Sequence, residues 1–255
     1  MWNLIMSDLS NRKVLYTGGA GGLGLPGVLA LLSKGATVVV LDRDPVKIQN
    51  LVELGDEYAE RLIVKSVDLS DEISLRTAVS ETIEDVGGID TLINNAAIYP
   101  AKPFEEFTLD EYKLVQKVNV ESAVICAQLT LPYMKEHKFG RIVNVISITF
   151  GGGWENLSPY VASKGTLLGL SRAWAREFGA YGITSNCLSP GAFPTDAEKI
   201  HPNPDEYTNF VLSHQSIKRR GTPKDIVNAI LFFIDADTGF ITGQSLNVDG
   251  GWVMQ

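Results

Sequence analysis

The chain of 255 residues is 45% hydrophobic and 20% charged, an ordinary globular balance with enough apolar material for one large core. Its formal net charge of −8 disfavours nucleic acid and anionic membrane surfaces as partners. No apolar run approaches the ~18 residues of a membrane span, the two cysteines are far apart and the three histidines are scattered, which argues against a transmembrane helix, a disulfide framework and a metal cluster.

Residues 1–13 include apolar positions but no basic stretch and no small-residue cleavage site, so they read as no signal peptide. A β-branched run at 13–17 predicts a first strand, which leads straight into the glycine-rich stretch TGGAGGLGLPG at 17–27. Glycines there let the backbone turn sharply beside a pyrophosphate, while the free N–H groups of the helix at 23–34 attract the anion. Two patterns overlap: Gly22, Gly24 and Gly27 fit G-x-G-x-x-G, and Gly18, Gly22 and Gly24 fit G-x-x-x-G-x-G. Only the second begins directly after the strand, which favours it. Pro26 falls in the helix's first turn, where a missing N–H costs little. A strand at 37–42 ends in Asp42, suited to the hydroxyls of an adenosine ribose, and together these features predict dinucleotide binding.

Helices at 45–59 and 71–86 then alternate with strands at 61–68 and 90–95. A long helix at 108–137, a strand at 140–147, a helix at 159–179, a strand at 182–190, a helix at 223–235 and a strand at 245–250 complete the pattern. Near-continuous apolar strands separated by helices predict a doubly wound, mostly parallel α/β sheet with helices on both faces, residues 1–255 forming a single domain. The 108–137 helix is apolar on more than one side (Leu114, Val118, Val124, Ile125, Leu129), which suggests cover from a second subunit. His137 reads as a favourable charge at its C-terminal end. Within SPYVASKGT (158–166), Tyr160 and Lys164 lie four positions apart and share a helix face. Leu167, Leu170, Trp174 and Phe178 read as a packing stripe, and Cys126 and Cys187 as buried free thiols of a reducing, cytoplasmic setting. The stretch 191–222, with Pro194, Pro202, Pro204 and Gly221, is too long for a plain connector and reads as an irregular lid.

The ordered set Thr17-Gly18-x-x-x-Gly22-x-Gly24, Asn94-Asn95-Ala96, Asn119, Ser147, Tyr160-x-x-x-Lys164 and Pro190-Gly191 resembles the short-chain dehydrogenase/reductase family. Ser147 precedes Tyr160 by 13 positions, as is typical there, and ITGQSLNVDGG at 241–251 looks like the family's last strand. The chain departs at NNAA (94–97), where the family usually has glycine last and Ala97 adds a methyl group near the cofactor. The resemblance implies a Rossmann-like fold and an NAD-dependent oxidoreductase acting on CH–OH groups, with Asn119, Ser147, Tyr160 and Lys164 catalytic. Ser147 would hold the substrate oxygen, Lys164 would bond the nicotinamide ribose, and Asn119 would support a water relay to Lys164. Cofactor contacts are implied at Gly18, Gly22, Leu23 and Gly24, and around the adenosine at Asp42, Arg43, Asp68 and Leu69. Further contacts are implied at Asn95, Ala96, Tyr160 and Lys164, and after the sixth strand at Pro190, Gly191, Phe193 and Thr195. A plain cap for the 71–86 helix is the other reading of Asp68. The family also implies that the 108–137 and 159–179 helices pair across a dimer interface, in a homotetramer or homodimer.

Tyrosine's ordinary pKa of about 10 makes it a poor base at neutral pH. A lysine ammonium one turn away and an oxidised nicotinamide both favour the phenolate, and are expected to lower that value. Tyr160 would then take an alcohol proton or, in reverse, give one to a carbonyl. Asp42 favours NAD, because its carboxylate repels a 2′-phosphate; Arg43 could meet such a phosphate, which leaves NADP as second choice, and Asp44 partly offsets Arg43. Ser147, Trp154 and Tyr160, with rings at Phe193, Tyr207 and Phe210, point to a neutral, partly hydrophobic secondary alcohol or ketone, aromatic or alicyclic. No lysine or arginine occurs between 142 and 163. Lys199 of the lid could anchor an anion, whereas Lys218, Arg219 and Arg220 are expected to pair with acidic neighbours. A sugar or polyol is the alternative substrate, with Glu155, Asn156, His201 and Asn203 as hydroxyl partners, and a non-catalytic NAD-binding protein is the alternative class.

Overall fold

Seven strands and the helices between them follow the predicted alternation in a computed structural model that describes residues 8–195, 198 and 203–254. The strands are β1 (Lys13–Thr17), β2 (Thr37–Asp42), β3 (Leu62–Ser66), β4 (Thr91–Asn94), β5 (Gly140–Val145), β6 (Ile183–Pro190) and β7 (Ser245–Val248). All pair in parallel, in the order β3-β2-β1-β4-β5-β6-β7. The helices are α1 (Gly24–Ser33), α2 (Pro45–Leu54), α3 (Glu72–Val86), α4 (Leu109–Gln116), α5 (Ser122–Glu136), α6 (Thr149–Gly152), α7 (Ser158–Phe178), α8 (Pro204–His214) and α9 (Pro223–Ile234).

Alternation along the strands divides the core into two layers. Val14, Tyr16, Val38 and Val40 pack with Val28 and Leu31 of α1 and Ile230 of α9. Leu15, Val39 and Leu41 pack on the opposite face with Leu75 of α3, Cys126 of α5 and Trp174 of α7. A strand covered on both faces carries no polar alternation, which is why TVVVLD reads as a continuous apolar run. The strand order reverses at β1, whose neighbours are β2 and β4, so their C-terminal ends open a crevice where a doubly wound sheet takes its ligand.

Two elements differ from the sequence expectation, and a third excludes one of two readings left open. The 108–137 helix is two α-helices joined by a π turn at Lys117–Glu121, entered through a Thr108–Glu111 capping box. Val118 (6% exposed) and Ile125 (7%) are covered by the chain itself, so their apolar character needs no second subunit; Leu114 stays exposed. Second, the stretch read as an irregular lid holds α8. Pro204 sits in its first turn, where proline is tolerated, and Asn203 caps it by accepting from Glu206 N at 3.2 Å. Third, Asp71, not Asp68, caps α3, accepting from the backbone N–H groups of Ile73 and Ser74.

Arg219 forms a two-pronged pair with Asp225 at 2.8 Å, and Arg220 pairs with Glu198, whereas Lys218 donates to backbone carbonyls, at 2.7 Å to Leu212 O. Cys126 and Cys187 are buried free thiols. Among the described residues no helix is long and apolar enough to cross a membrane. Lys199, His201 and Pro202 lie outside the described residues.

Candidate active site

The loop after β1 is shaped by its glycines. Gly18 (φ +64°) and Gly22 (φ +53°) occupy the left-handed region that side chains disfavour. Gly22 and Leu23 lie on the cavity wall, and α1 begins without a side-chain cap, so its leading N–H groups and dipole are available to an anion. Gly24, expected on sequence to touch the cofactor, is not on that wall. A Cβ there would lie 2.2 Å from Gly18 O, so its hydrogen lets the helix start press against the loop from behind. A Cβ at Gly27 would lie 2.8 Å from the Tyr16 hydroxyl, so this glycine seats α1 on β1, and both overlapping patterns are used. Asn95 ties the end of β4 to the loop, its Nδ2 donating to Thr17 O (3.2 Å) and Gly18 O (2.9 Å).

At the end of β2, Asp42 accepts from the backbone N–H groups of Ala20 (3.0 Å), Arg43 (2.8 Å) and Asp44 (3.2 Å), which fixes its carboxylate at the cavity edge. Arg43 turns to Asp68, with Nη1 3.5 Å from Oδ2. The backbone N–H and hydroxyl of Ser70, and then Arg43, hold the Asp68 carboxyl below its usual range. An uncapped helix start beside left-handed glycines and a fixed carboxylate one strand away fit a dinucleotide's pyrophosphate and adenosine ribose.

β5 is buried along its whole length and delivers Ser147 two residues beyond its end. Pro159 in the first turn of α7 precedes Tyr160, and Lys164 follows one turn on. The Ser147 hydroxyl lies close enough to the Tyr160 hydroxyl to stabilise the phenolate, and both face the cavity. Lys164, 2% exposed, donates from Nζ to Val145 O at 2.8 Å and lies 5.4 Å from the centroid of the Tyr160 ring. Burial lowers the Lys164 ammonium to about 8. Burial also pushes the Tyr160 phenol up to about 12, with the Ser147 hydroxyl drawing it down and Tyr99 adding to the rise. The expected lowering by Lys164 is therefore corrected for the protein alone: the ammonium is engaged by a carbonyl, and lost hydration outweighs it.

Asn119 sits in the π turn, a placement frequent at functional sites. Its Oδ1 accepts from Ile98 N (2.8 Å), and its Nδ2 donates to Ile98 O (3.0 Å) and Ser163 Oγ (3.0 Å). It is off the cavity wall, and among the described residues none of its hydrogen bonds reaches Lys164. It clamps the segment after β4 to α7 behind the Ser147 and Tyr160 hydroxyls.

The other expected residues line one cavity of about 820 Å³. Asp42, Arg43, Asp68 and Leu69 wall one end, followed by Asn95 and Ala96 and then by Ser147, Tyr160 and Lys164. Pro190, Gly191, Phe193 and Thr195 line it after β6, while Trp154, Tyr207 and Phe210 stand at the far end. Among the wall residues missed are Tyr99, Lys47 and Trp252. Tyr99 meets the Tyr160 ring edge-on, centroids 6.1 Å apart, and its signal was its position just after NNAA. Lys47 lays its stem beside Gly21, and Trp252 follows β7 in a segment read only as a last strand.

A family model described as enoyl-(acyl carrier protein) reductase matches residues 18–253. The chain belongs to the short-chain dehydrogenase/reductase family. It is 35% identical over 243 residues to (2S)-[(R)-hydroxy(phenyl)methyl]succinyl-CoA dehydrogenase subunit BbsD of Thauera aromatica, covering 95% of this chain and 97% of that protein. It is 28% identical over 247 residues to 5-keto-D-gluconate 5-reductase of Escherichia coli K12, covering 97% of each. The structure of a gluconate 5-dehydrogenase from Burkholderia cenocepacia in complex with NADP and tartrate superimposes with a TM-score of 0.88 at 28% identity, over 96% of this chain and 97% of that one. Membership makes this an oxidoreductase that uses a nicotinamide cofactor on CH–OH groups.

Gly24→Ala tests the loop reading. Its Cβ would displace the Gly18 carbonyl, so dinucleotide affinity should fall at least tenfold in a fluorescence titration, while circular dichroism stays native.

Proposed function

We propose that this chain interconverts a neutral, partly hydrophobic secondary alcohol, aromatic or alicyclic, and its ketone, with Tyr160 as general acid and base. The observation that carries this reading is the meeting of Ser147, Tyr160 and, one turn on, the buried Lys164 on the wall of one cavity. The nicotinamide, when bound, supplies the hydride exchange with the substrate carbon. Ser147 donates its hydroxyl proton to the substrate oxygen and orients it. Tyr160 Oη hands its proton to that oxygen as a ketone is reduced and recovers it as an alcohol is oxidised. Lys164, anchored on Val145 O, would hold the nicotinamide ribose through its remaining N–H groups. Asn119 keeps α7 in register through Ser163.

NAD is the cofactor in this reading. The Asp42 carboxylate is fixed by three backbone donors, and Arg43 leans on Asp68 rather than standing ready for a 2′-phosphate. At ~4 Å the repulsion between that carboxylate and a phosphate charge is roughly 1–4 kcal/mol, about tenfold to several hundredfold in affinity. For the substrate, Glu155 at the far end of the cavity disfavours an anion there, while Glu198 is neutralised by Arg220. The substrate named for the Thauera relative carries a hydroxy(phenyl)methyl group, which suits the aromatic choice, on a succinyl-CoA, which is not neutral. A sugar or polyol is the second reading: the gluconate enzymes are relatives, and Glu155 and Asn156 on the wall could bond its hydroxyls. A cytoplasmic homotetramer or homodimer belongs to the same proposal, with Tyr112 and Leu114 exposed on α4.

Tyr160→Phe should lower kcat by about 10²–10⁴-fold and leave dinucleotide binding intact; a variant keeping a third of wild-type kcat refutes the assignment. Steady-state kcat/KM should be at least tenfold higher with NAD than with NADP, and the reverse order defeats the Asp42 argument. The phenol's pKa of about 12 keeps it protonated across the neutral range, so alcohol oxidation should accelerate from pH 7 to pH 10 as the phenolate share grows. Ketone reduction should not accelerate over that range, and pH profiles of kcat/KM in both directions check the sign.

A further inference from the structure

The far end of the cavity carries two tryptophans from opposite parts of the chain, each set in place by glycines. Gly153 (φ +67°) reverses the chain after α6, and a Cβ on Gly152 would stand 2.0 Å from the Trp154 ring, so the indole folds back over a bare backbone. After β7, Gly250 (φ +69°) and Gly251 (φ +77°) turn the chain back in the same way. Asp249, 5% exposed, accepts from Gly251 N (2.9 Å) and Val253 N (2.7 Å), and Asn247 Nδ2 donates to Val253 O (2.6 Å). Trp252 is thus pinned on both sides by the backbone around it, not hung on a loose terminus.

The two indoles are 5.4 Å apart between centroids and tilted by 57°, a wedge and not a closed stack. Phe210 of α8 meets Trp252 nearly edge-on at 5.8 Å, and His214 stacks on it at 5.1 Å and 25°, which fixes the ring plane. Trp154, Phe210 and Trp252 all face the cavity that holds Ser147 and Tyr160. Among the residues on the cavity wall the cations are Arg43, Lys47 and Lys164, none of them in this aromatic end.

We propose that Trp252, with Trp154 and Phe210, forms an aromatic clamp that seats a flat, uncharged ring attached to the carbinol carbon, and that Trp252 sets the preference for such substrates. The inference rests on the secondary-alcohol reading above and names the group that accompanies the reacting oxygen. Rings held rigidly beforehand lose little freedom on binding, so the clamp favours a planar group over a flexible chain of equal size.

The test measures kcat/KM with NAD for 1-phenylethanol, cyclohexanol, 2-butanol and an aldose, using wild type, Trp252→Ala and Trp252→Phe. The wild type should favour 1-phenylethanol over 2-butanol at least tenfold. Trp252→Ala should erase most of that preference while changing 2-butanol by less than threefold and leaving the Kd for NADH unchanged; Trp252→Phe should fall between. Should Trp252→Ala fail to fold, the graded loss in Trp252→Phe decides. A wild-type preference for 1-phenylethanol that survives in the variants overturns the clamp and leaves the secondary-alcohol reading standing. A wild type that turns over only the aldose overturns both.

Discussion

A lysine ammonium buried almost completely, with a single backbone carbonyl as its recorded acceptor, is the constraint on which the rest of the site depends. Taking a charge out of water is costly unless it is paired, and one neutral carbonyl repays only part of that cost, hence the lowered pKa of Lys164. The arrangement persists because β5 ends where its last carbonyl, Val145 O, can receive Nζ. The same strand end sends Ser147 into the cavity, and the same helix turn that carries Lys164 carries Tyr160. One charge therefore ties a strand terminus and a helix together at the point where protons would move.

Charge along the cavity is divided. The adenosine end brings together Asp42, Arg43, Asp44, Lys47 and Asp68, a cluster of both signs that pairs within itself. The far end is ringed by aromatic side chains, with Glu155 and the Glu198–Arg220 pair as its charges. A polar, hydrogen-bonding molecule is suited to the first and an apolar one to the second, with the hydroxyl pair of Ser147 and Tyr160 at the boundary. This division comes from the sheet: glycine loops and acidic strand ends follow β1 to β3, whereas longer ring-bearing connections follow β5 to β7.

The fold was legible where one physical cause dominated. Strands such as Thr37–Asp42 are covered on both faces, so their composition gave them away, and the glycines after β1 are required by backbone angles that other residues disfavour. That Tyr160 and Lys164 share a helix face was legible from their spacing, whereas Ser147 beside them came from the family resemblance. The π turn was not, because KVNVE carries no glycine or proline to mark it. α8 was hidden because Pro204 reads as a breaker until it is seen in a first turn capped by Asn203. The direction of the Tyr160 pKa was misread because it depends on burial by residues distant in sequence. Trp252 was missed for the same reason: its neighbours Trp154, Phe210 and His214 come from other segments.

The π turn at Lys117–Glu121 also bears on how this region can evolve. A π turn holds one residue more than the α-helical turn it replaces, and here that residue separates two helices whose buried faces are set independently. Val115 anchors α4, and Ala123 and Cys126 anchor α5. Removing one residue of the turn would let the hydrogen bonds relax to the ordinary α pattern while both helices kept their buried faces inward, because the wider turn is what absorbs the extra residue. What would be lost is the placement of Asn119 against Ile98 and Ser163. A deletion here would spare the core and strike the clamp behind the site, so the length of this segment answers to the cavity and not to folding.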